Sequence, residues 1–330
     1  VMNAARVTFC AAMIVCIAGV AGAQTEWVED PDNPVIGLGE PGEWDAGHRE
    51  VSAVVFDGSM YHMIFTGDGE EEEDPLSIGH ATSTDGETWT MDPANPVLTP
   101  GEEGEWDDIF VAGGALIYEG GEFHMWYTGS GGDDVWIGVR GGYATSPDGS
   151  VWTKYEGNPV LDVGPAGSFD EAQAWPTSVI FDGSLYRMWY TGTDLPYYFF
   201  TVGYAESPDG ISWTKHPGPV LEPVPEGTGW DDWDVFDPSV LFDGSLYHMW
   251  YSAHGTVGNL VLATGIGYAT SADGIEWAKC PENPVFTFGE EQPRFARVLF
   301  DESAYRMWYV HWVFEEPSQG ISTATSDCCV

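Results

Sequence analysis

Residues 247–251 read YHMWY and residues 266–277 read IGYATSADGIEW, and these two stretches belong to a unit that occurs five times. The first stretch returns as YHMIF at 61–65, FHMWY at 123–127, YRMWY at 186–190 and YRMWY at 305–309. A Trp opens each unit at a nearly constant interval: Trp27, Trp89, Trp152, Trp213 and Trp277. Self-similarity at a fixed period indicates a repeat architecture, so the unit itself decides the fold.

Each unit predicts four short strands. An apolar run ends in a turn such as Asp57-Gly58 or Asp243-Gly244, and Asp-Gly between apolar runs is a strong hairpin signal. A third strand closes with Ser-x-Asp-Gly, as at 271–274, and the next opening Trp follows. Four strands per repeat are typical of a propeller blade. We therefore predict an all-β fold, a five-bladed β-propeller with four antiparallel strands in each blade.

The two ends of the chain complete one blade between them. The fifth unit reaches Thr325-Ser326-Asp327, in the turn that closes its third strand. The fourth strand that this blade needs is present at Glu26-Trp27-Val28. We expect the N-terminal strand to join the last blade and close the ring.

Residues 1–23 have the features of a secretory signal peptide. Arg6 precedes an apolar run over 7–20, and Ala21-Gly22-Ala23 is a small-residue cleavage site. A retained membrane anchor is the alternative, but the run is short for a membrane span. We expect a secreted protein, extracellular or periplasmic, with one domain over residues 24–330.

Charge and cysteine content restrict the partners. The formal net charge is −43, which repels nucleic acids and anionic membranes. We expect no nucleic acid partner, no membrane association after cleavage, and a monomer. Cys280, Cys328 and Cys329 remain after cleavage; they do not make a disulfide framework, and their spacing is not that of a zinc site.

Loop variability predicts which face carries the site. The loops that join strand 4 to the next strand 1, and strand 2 to strand 3, share one face of a propeller, and here they are long and do not repeat. The Asp-Gly turns lie on the opposite face. Function is usually carried by variable loops on a rigid frame, so we expect the site on the first face, near the axis.

Residues that occur in every unit are most simply structural, and removing them leaves few basic residues. Arg49, Arg294 and Arg297 remain at the starts of inner strands in blades 1 and 5. These blades are neighbours in a closed ring, so the three side chains are candidates to converge at the mouth of the axis and bind substrate. Ion pairs with local acids such as Glu50 and Glu291 are the alternative.

Acidic, histidine and aromatic residues near the same strand starts form the rest of the candidate site. The acids are Glu50, Asp108, Glu171, Asp234 and Asp237, and the other candidates are His48, Gln173, Trp175, Trp233, His254 and His311. A polar, carboxylate-lined pocket with aromatic platforms suits carbohydrate. The acidic run at 70–74 is a candidate for Ca²⁺, although it lacks EF-hand spacing and a solvated acidic loop is the favoured interpretation. We expect no other cofactor.

The blade frame resembles the five-bladed propellers of glycoside hydrolase families 43, 32 and 130. The resemblance rests on FHMWYTG at 123–129 and IGYATSADGIEW at 266–277, and it covers the sequence after residue 23. It implies inner-strand carboxylates around the axis, and Asp237-Pro238 matches the Asp-Pro that many members carry. The first blade has Glu50 where the resemblance implies an Asp.

Three hypotheses for function follow. In a secreted glycosidase, Glu171 would be the acid and Glu50 or Asp237 the base or nucleophile, with Arg294 and Arg297 binding the substrate. A carbohydrate-binding, lectin-like propeller would keep the aromatic and Arg residues without a properly spaced acid pair. A protein-interaction platform would show a flat apolar face in place of a pocket.

Overall fold

The computed structural model describes residues 27–71, 74–132, 136–196, 199–257, 260–287, 292–301, 304–312 and 320–327. The predicted signal peptide, Glu26, Glu72 and Glu73 of the acidic run, Glu291, Cys328 and Cys329 lie outside these residues. The described residues form five four-stranded antiparallel sheets, which confirms the predicted five-bladed propeller.

Each blade is one sheet, ordered from the axis outwards except where the ring closes. Blade 1 contains β2 (His48–Phe56), β3 (Tyr61–Asp68), β4 (Ser77–Ser83) and β5 (Thr90–Met91). Blade 2 contains β6 (Phe110–Glu119), β7 (Glu122–Ser130), β8 (Arg140–Ser146) and β9 (Thr153–Lys154). Blade 3 contains β10 (Gln173–Phe181), β11 (Tyr186–Thr193), β12 (Phe200–Ser207) and β13 (Thr214–Lys215).

The remaining two blades complete the ring. Blade 4 contains β14 (Asp234–Phe242), β15 (Tyr247–Val257), β16 (Leu260–Ser271) and β17 (Trp277–Lys279). Blade 5 contains β18 (Gln292–Phe300), β19 (Tyr305–Trp312), β20 (Ile321–Ser326) and β1 (Val28–Glu29). The inner strands β2, β6, β10, β14 and β18 contact one another in a closed circle around the axis.

The ring closes between the two ends of the chain, as predicted. Strand β1 pairs antiparallel with β20, with Val28 opposite Thr325 and Glu29 opposite Ala324. The Asn33 side chain adds a clamp, because it donates to the Thr323 carbonyl at 2.9 Å and accepts from the Thr323 N–H at 2.8 Å. The closure therefore combines backbone pairing with one side-chain amide.

The hydrophobic core lies between blades. There are five buried clusters among the described residues, and each combines side chains of two neighbouring blades. A Trp on the second strand also links blades, as Trp189 does by donating its indole N–H to the Gly274 carbonyl at 2.8 Å. Gly274 has a φ of +80°, a conformation that glycine adopts without strain.

Every inner strand carries a β-bulge near its start. The last register position that all five blades share before the bulge lies opposite a Thr, Ser or Val of the second strand. We call the five residues at this position the axial ring: Glu50, Ala112, Trp175, Phe236 and Arg294. The frame thus presents five different side chains at one level of the axis.

Within the described residues, no helix combines the length and the hydropathy that a membrane span requires.

Candidate functional site

A cavity of about 460 Å³ opens where the inner strands begin and the second strands end. This is the face that the variable loops predicted. Four of the five axial ring residues line it: Glu50, Ala112, Trp175 and Arg294. Phe236, the fifth, packs against Phe200 with ring centroids 5.5 Å apart. The cavity is therefore asymmetric, with charged residues on the side of blades 4, 5 and 1 and apolar residues on the side of blades 2 and 3.

Glu50 has an unusual protonation equilibrium. Burial is the largest influence and the nearby charge of Asp237 the second; together they raise the pKa of Glu50 to about 8, although Arg297 acts in the opposite direction. Its side chain remains 22% exposed, on the cavity side. A carboxyl in this environment carries a proton at neutral pH and can donate it.

Asp237 is the second carboxylate of the cavity, and Arg297 holds it in a bidentate ion pair. The two bonds are 2.6 Å from Nη1 to Oδ2 and 2.7 Å from Nη2 to Oδ1. Asp237 has a φ of +52°, which is uncommon for a residue other than glycine, and its N–H donates to the Thr191 hydroxyl at 2.9 Å. The fold therefore fixes both the backbone and the carboxylate of Asp237.

His48 and Asp68 complete the charged wall. They face each other at the ends of β2 and β3, and the Nε2 atom of His48 lies 3.5 Å from Oε2 of Glu50. Burial lowers the pKa of His48 and Asp68 opposes that effect. Burial also raises the pKa of Asp68. Both shifts favour the uncharged forms and lower the charge that surrounds Glu50.

The apolar wall consists of aromatic rings from blades 2 and 3. Phe110, Trp136 and Trp175 line the cavity, and the Phe110 and Trp136 centroids are 6.2 Å apart. Gln173 fixes this wall from behind, because its side-chain amide donates to the Trp136 carbonyl at 2.8 Å. Trp136 remains 50% exposed and gives the cavity a flat apolar surface.

Arg49 lies outside the cavity, which corrects the expectation that three arginines converge there. Its guanidinium donates to the Asp45 carboxylate and to the Gly37 carbonyl, and it stacks 5.2 Å from the Phe65 ring centre. Arg294 and Arg297 do line the cavity. The alternative of an ion pair with a local carboxylate describes Arg49, whose partner is Asp45. Arg297 pairs instead with Asp237 of the neighbouring blade.

Asp108 and Glu171 are also outside the cavity lining, and both accept hydrogen bonds from backbone N–H groups of nearby loops. Asp108 accepts the Gly104 N–H at 2.6 Å, and Glu171 accepts the Gly167 N–H at 2.6 Å. Glu171 also accepts the Leu195 N–H at 3.1 Å. With these backbone partners, Glu171 caps a loop and is not beside Glu50, so the expectation that the two carboxyls share a cavity is corrected.

The other predicted residues form two groups beside the site. In blade 4, His254 pairs with Asp234 at 2.7 Å, and Trp233 packs on Phe199 with centroids 5.1 Å apart. In blade 5, His311 lies 3.4 Å from the Glu29 carboxylate. None of these residues lines the cavity. Among the described residues, no cluster of three or more His, Cys, Asp or Glu side chains suits a metal ion, so Ca²⁺ binding stays a prediction.

Sequence reasoning missed several cavity residues: Ser52, Asp68, Phe110, Thr128 and Trp136. A signal for Asp68 was available. The second strands carry Asp68, Ser130, Thr193, His254 and Trp312 at the position of Asp68, so Asp68 is the acid among them. Thr128 has no such signal, because three other blades carry Thr or Ser at its position.

Comparison with known families agrees with the propeller fold. The model of the glycosyl hydrolases family 32 N-terminal domain matches residues 50–169 and, in an overlapping second match, residues 116–284. The protein belongs to this family. Overlapping matches in a family 32 propeller follow from the repeat, since a model of several blades aligns at more than one blade offset.

Relatives of this family 32 protein include two proteins of Mycobacterium tuberculosis, "Uncharacterized protein MT1551" and "Uncharacterized protein Rv1502". Each is 28% identical over 249 residues, which is 71% of this chain and 77% of the relative.

Solved structures share the propeller with this family 32 protein. A glycosyl hydrolase from Bacteroides ovatus has 16% identity and a TM-score of 0.69, with coverage of 92% of this chain and 94% of its own. A structure from work on mannoside phosphorylases and hydrolases of family GH130 has 15% identity and a TM-score of 0.66, with coverage of 93% of this chain and 95% of its own. At these identities both structures show the common propeller fold alone.

Proposed function

We propose that this protein is a glycoside hydrolase that binds a glycan in the axial cavity. The observation that carries the proposal is the pair of unlike carboxyls there. Glu50 has a pKa raised to about 8, whereas Asp237 is held by a bidentate arginine. Acid-assisted glycoside hydrolysis requires two carboxyls, one of which keeps a proton that it can donate.

In this proposal Glu50 is the general acid. It protonates the glycosidic oxygen of the leaving group, and Asp237 acts on the sugar either as the nucleophile or through an activated water. This reverses the expected role of Glu50, because a carboxyl that keeps its proton at neutral pH is a poor base. Arg297 positions Asp237, and Trp136 and Trp175 provide apolar surface for sugar rings.

The test is hydrolysis of fructo-, manno- and arabino-oligosaccharides and of aryl glycosides by the wild type, Glu50→Gln and Asp237→Asn. We expect each substitution to lower kcat by at least about a hundred-fold. The wild-type kcat/KM should fall as pH rises through about 8, where Glu50 loses its proton. Glu171→Gln is the matched control, since it removes a carboxyl of the same chemistry outside the cavity. Full activity in both cavity variants would contradict the assignment.

A binding protein without catalysis is the second candidate. The specific observation in its favour is that Arg297 engages both oxygens of Asp237, which lowers the reactivity of that carboxylate. Measurable glycan affinity with no turnover of any substrate would support this alternative.

Export is part of the proposal. Arg6, the apolar run over 7–20 and Ala21-Gly22-Ala23 support cleavage before residue 24 and release into the periplasm or medium. N-terminal sequencing of the protein from a secreting host tests this, and a retained residue 1 would contradict it.

A further inference from the structure

The axial ring is supported by a second set of residues on the neighbouring strands. Opposite the five ring residues, the second strands carry Thr66, Thr128, Thr191, Ser252 and Val310. Four of these have a hydroxyl group at the same level of the axis. The hydrogen-bond partner of each hydroxyl shows whether it holds the blades together or faces the cavity.

Three of the four hydroxyls link one blade to the next. Each accepts a backbone N–H from the residue that follows the ring residue of the neighbouring blade. The bonds are Gly113 N–H to Thr66 at 3.0 Å, Asp237 N–H to Thr191 at 2.9 Å and Phe295 N–H to Ser252 at 3.1 Å. Thr66, Thr191 and Ser252 are absent from the cavity lining. Their hydroxyls are structural.

Thr128 differs because its neighbour in blade 3 is Pro176. Proline has no N–H, so the inter-blade hydrogen bond cannot form at this interface. The Thr128 side chain lines the cavity instead and is only 3% exposed. A buried hydroxyl without this frame partner, on the wall of a cavity, has its hydrogen-bonding capacity left for a ligand.

The surroundings of Thr128 suit a sugar. Its ring residue is Ala112, the smallest side chain of the axial ring, so space is left in front of the hydroxyl. Phe110 and Trp136 lie on the same sector, and the Gln173 amide fixes the Trp136 backbone. An aromatic surface beside a single hydroxyl suits a sugar ring, because a sugar ring has an apolar face and hydroxyl groups around its edge.

We propose that this blade 2 sector is a sugar-binding subsite, in which the Thr128 hydroxyl bonds a glycan hydroxyl and determines specificity. The inference rests on the proposed function, since it names how the same cavity recognises its glycan. Thr128 positions the substrate and takes no part in proton transfer.

The test compares Thr128→Val with Thr66→Val, which removes a hydroxyl at the same register position in the adjacent blade. Both are made in the Glu50→Gln background, to prevent turnover, and affinity for fructo-, manno- and arabino-oligosaccharides is measured by calorimetry beside Tm. We expect Thr128→Val to weaken binding about ten-fold without lowering Tm. Thr66→Val should lower Tm, because it leaves the Gly113 N–H unpaired. Ala112→Leu should also weaken binding, because it fills the sector.

Equal affinity in Thr128→Val and its parent would overturn the subsite and leave the proposed function standing. A loss of Tm in Thr128→Val as large as in Thr66→Val would overturn it as well, since the hydroxyl would then be structural. If the wild type and the Glu50→Gln parent bind none of these glycans, the proposed function fails and the subsite fails with it.

Discussion

The buried carboxylate of Asp45 has a different cationic partner from the equivalent acids of the other blades. In blade 1, an Arg of the inner strand takes the role that a Lys of the outer strand has elsewhere. In blades 2, 3 and 4, the equivalent acid accepts from a Tyr hydroxyl and a Lys ammonium, as Asp107 does from Tyr127 at 2.9 Å and Lys154 at 2.8 Å. Blade 1 has Phe65 and Met91 at those two positions. Arg49 supplies the missing charge from the inner strand.

We therefore predict that Arg49→Met destabilises the fold by about 3–5 kcal/mol, because Asp45 is 2% exposed and would be left without its charge partner. Thermal or urea denaturation measures the loss. Met91→Lys should restore much of it in the double variant, since Met91 has the same register as Lys154, Lys215 and Lys279. Equal stability of Arg49→Met and the wild type would contradict the structural role of Arg49.

The proton on Glu50 has a consequence for stability. Its pKa is about 8 in the folded protein and near 4.5 when unfolded, so between these values the folded state binds more protons. The contribution of this group to stability is then present at low pH and is lost as pH rises from about 4.5 to 8. Relative to Glu50→Gln, the Tm of the wild type should fall by several degrees across this window. A pH-independent difference would show that burial does not perturb Glu50.

The sequence predicts only part of the set of residues that line the cavity, because the repeat conceals differences between blades. Glu50 and Asp237 stand out because no other blade has their residue type at that position. Glu171 appeared to vary, yet it occupies the same frame position as Asp108 and Asp232, and all three accept a loop glycine N–H. Conversely, the sequence repeat hides Thr128, because the equivalent Thr or Ser of three other blades makes a structural hydrogen bond. Thr128 cannot make that bond, because Pro176 has no N–H to donate.

At the scale of elements, two equivalent side-chain amides hold loops to strands, but they differ in what they join. The Asn33 amide clamps the loop after β1 to β20, and the equivalent Asn95 clamps the loop after β5 to the His80 backbone with bonds of 2.8 and 3.0 Å. The first clamp joins the two ends of the chain, whereas the second lies within one blade.

We predict that Asn33→Ala lowers stability by about 1–3 kcal/mol and speeds amide exchange in both β1 and β20. Asn95→Ala is the matched control; it should cost about the same stability but affect exchange within blade 1 only. Hydrogen exchange followed by mass spectrometry distinguishes the two. Unchanged exchange of β20 in Asn33→Ala would mean that backbone pairing alone maintains the closure.

Strand order and closure followed from the sequence because they depend on local signals: the Asp-Gly turns, the Ser-x-Asp-Gly turns and the opening Trp. The bulges of the inner strands did not, since no glycine or other turn residue marks all five of them. The residues that follow the ring residues are Val51, Gly113, Pro176, Asp237 and Phe295. The structure is therefore needed to identify which residue of each inner strand belongs to the axial ring.

At the scale of the whole molecule, the net charge of −43 places strong repulsion on a closed ring. We predict that raising the NaCl concentration from about 10 mM to about 0.5 M increases Tm by several degrees, because salt screens charges over distances longer than about 4–30 Å in this range. The increase should shrink as pH falls towards the sequence pI of about 4.1. A Tm that is independent of salt at slightly alkaline pH would show that surface repulsion does not limit stability.

The axial ring has a consequence for engineering. Its five members come from separately closed hairpins, and each is opposite its own partner on the second strand, so no two of them share a hairpin. Substitutions at different ring positions should therefore combine almost additively in folding free energy where the side chains do not touch. A combinatorial library at Ala112, Trp175 and Arg294 would then vary the chemistry of the cavity while the frame that holds Glu50 and Asp237 stays the same.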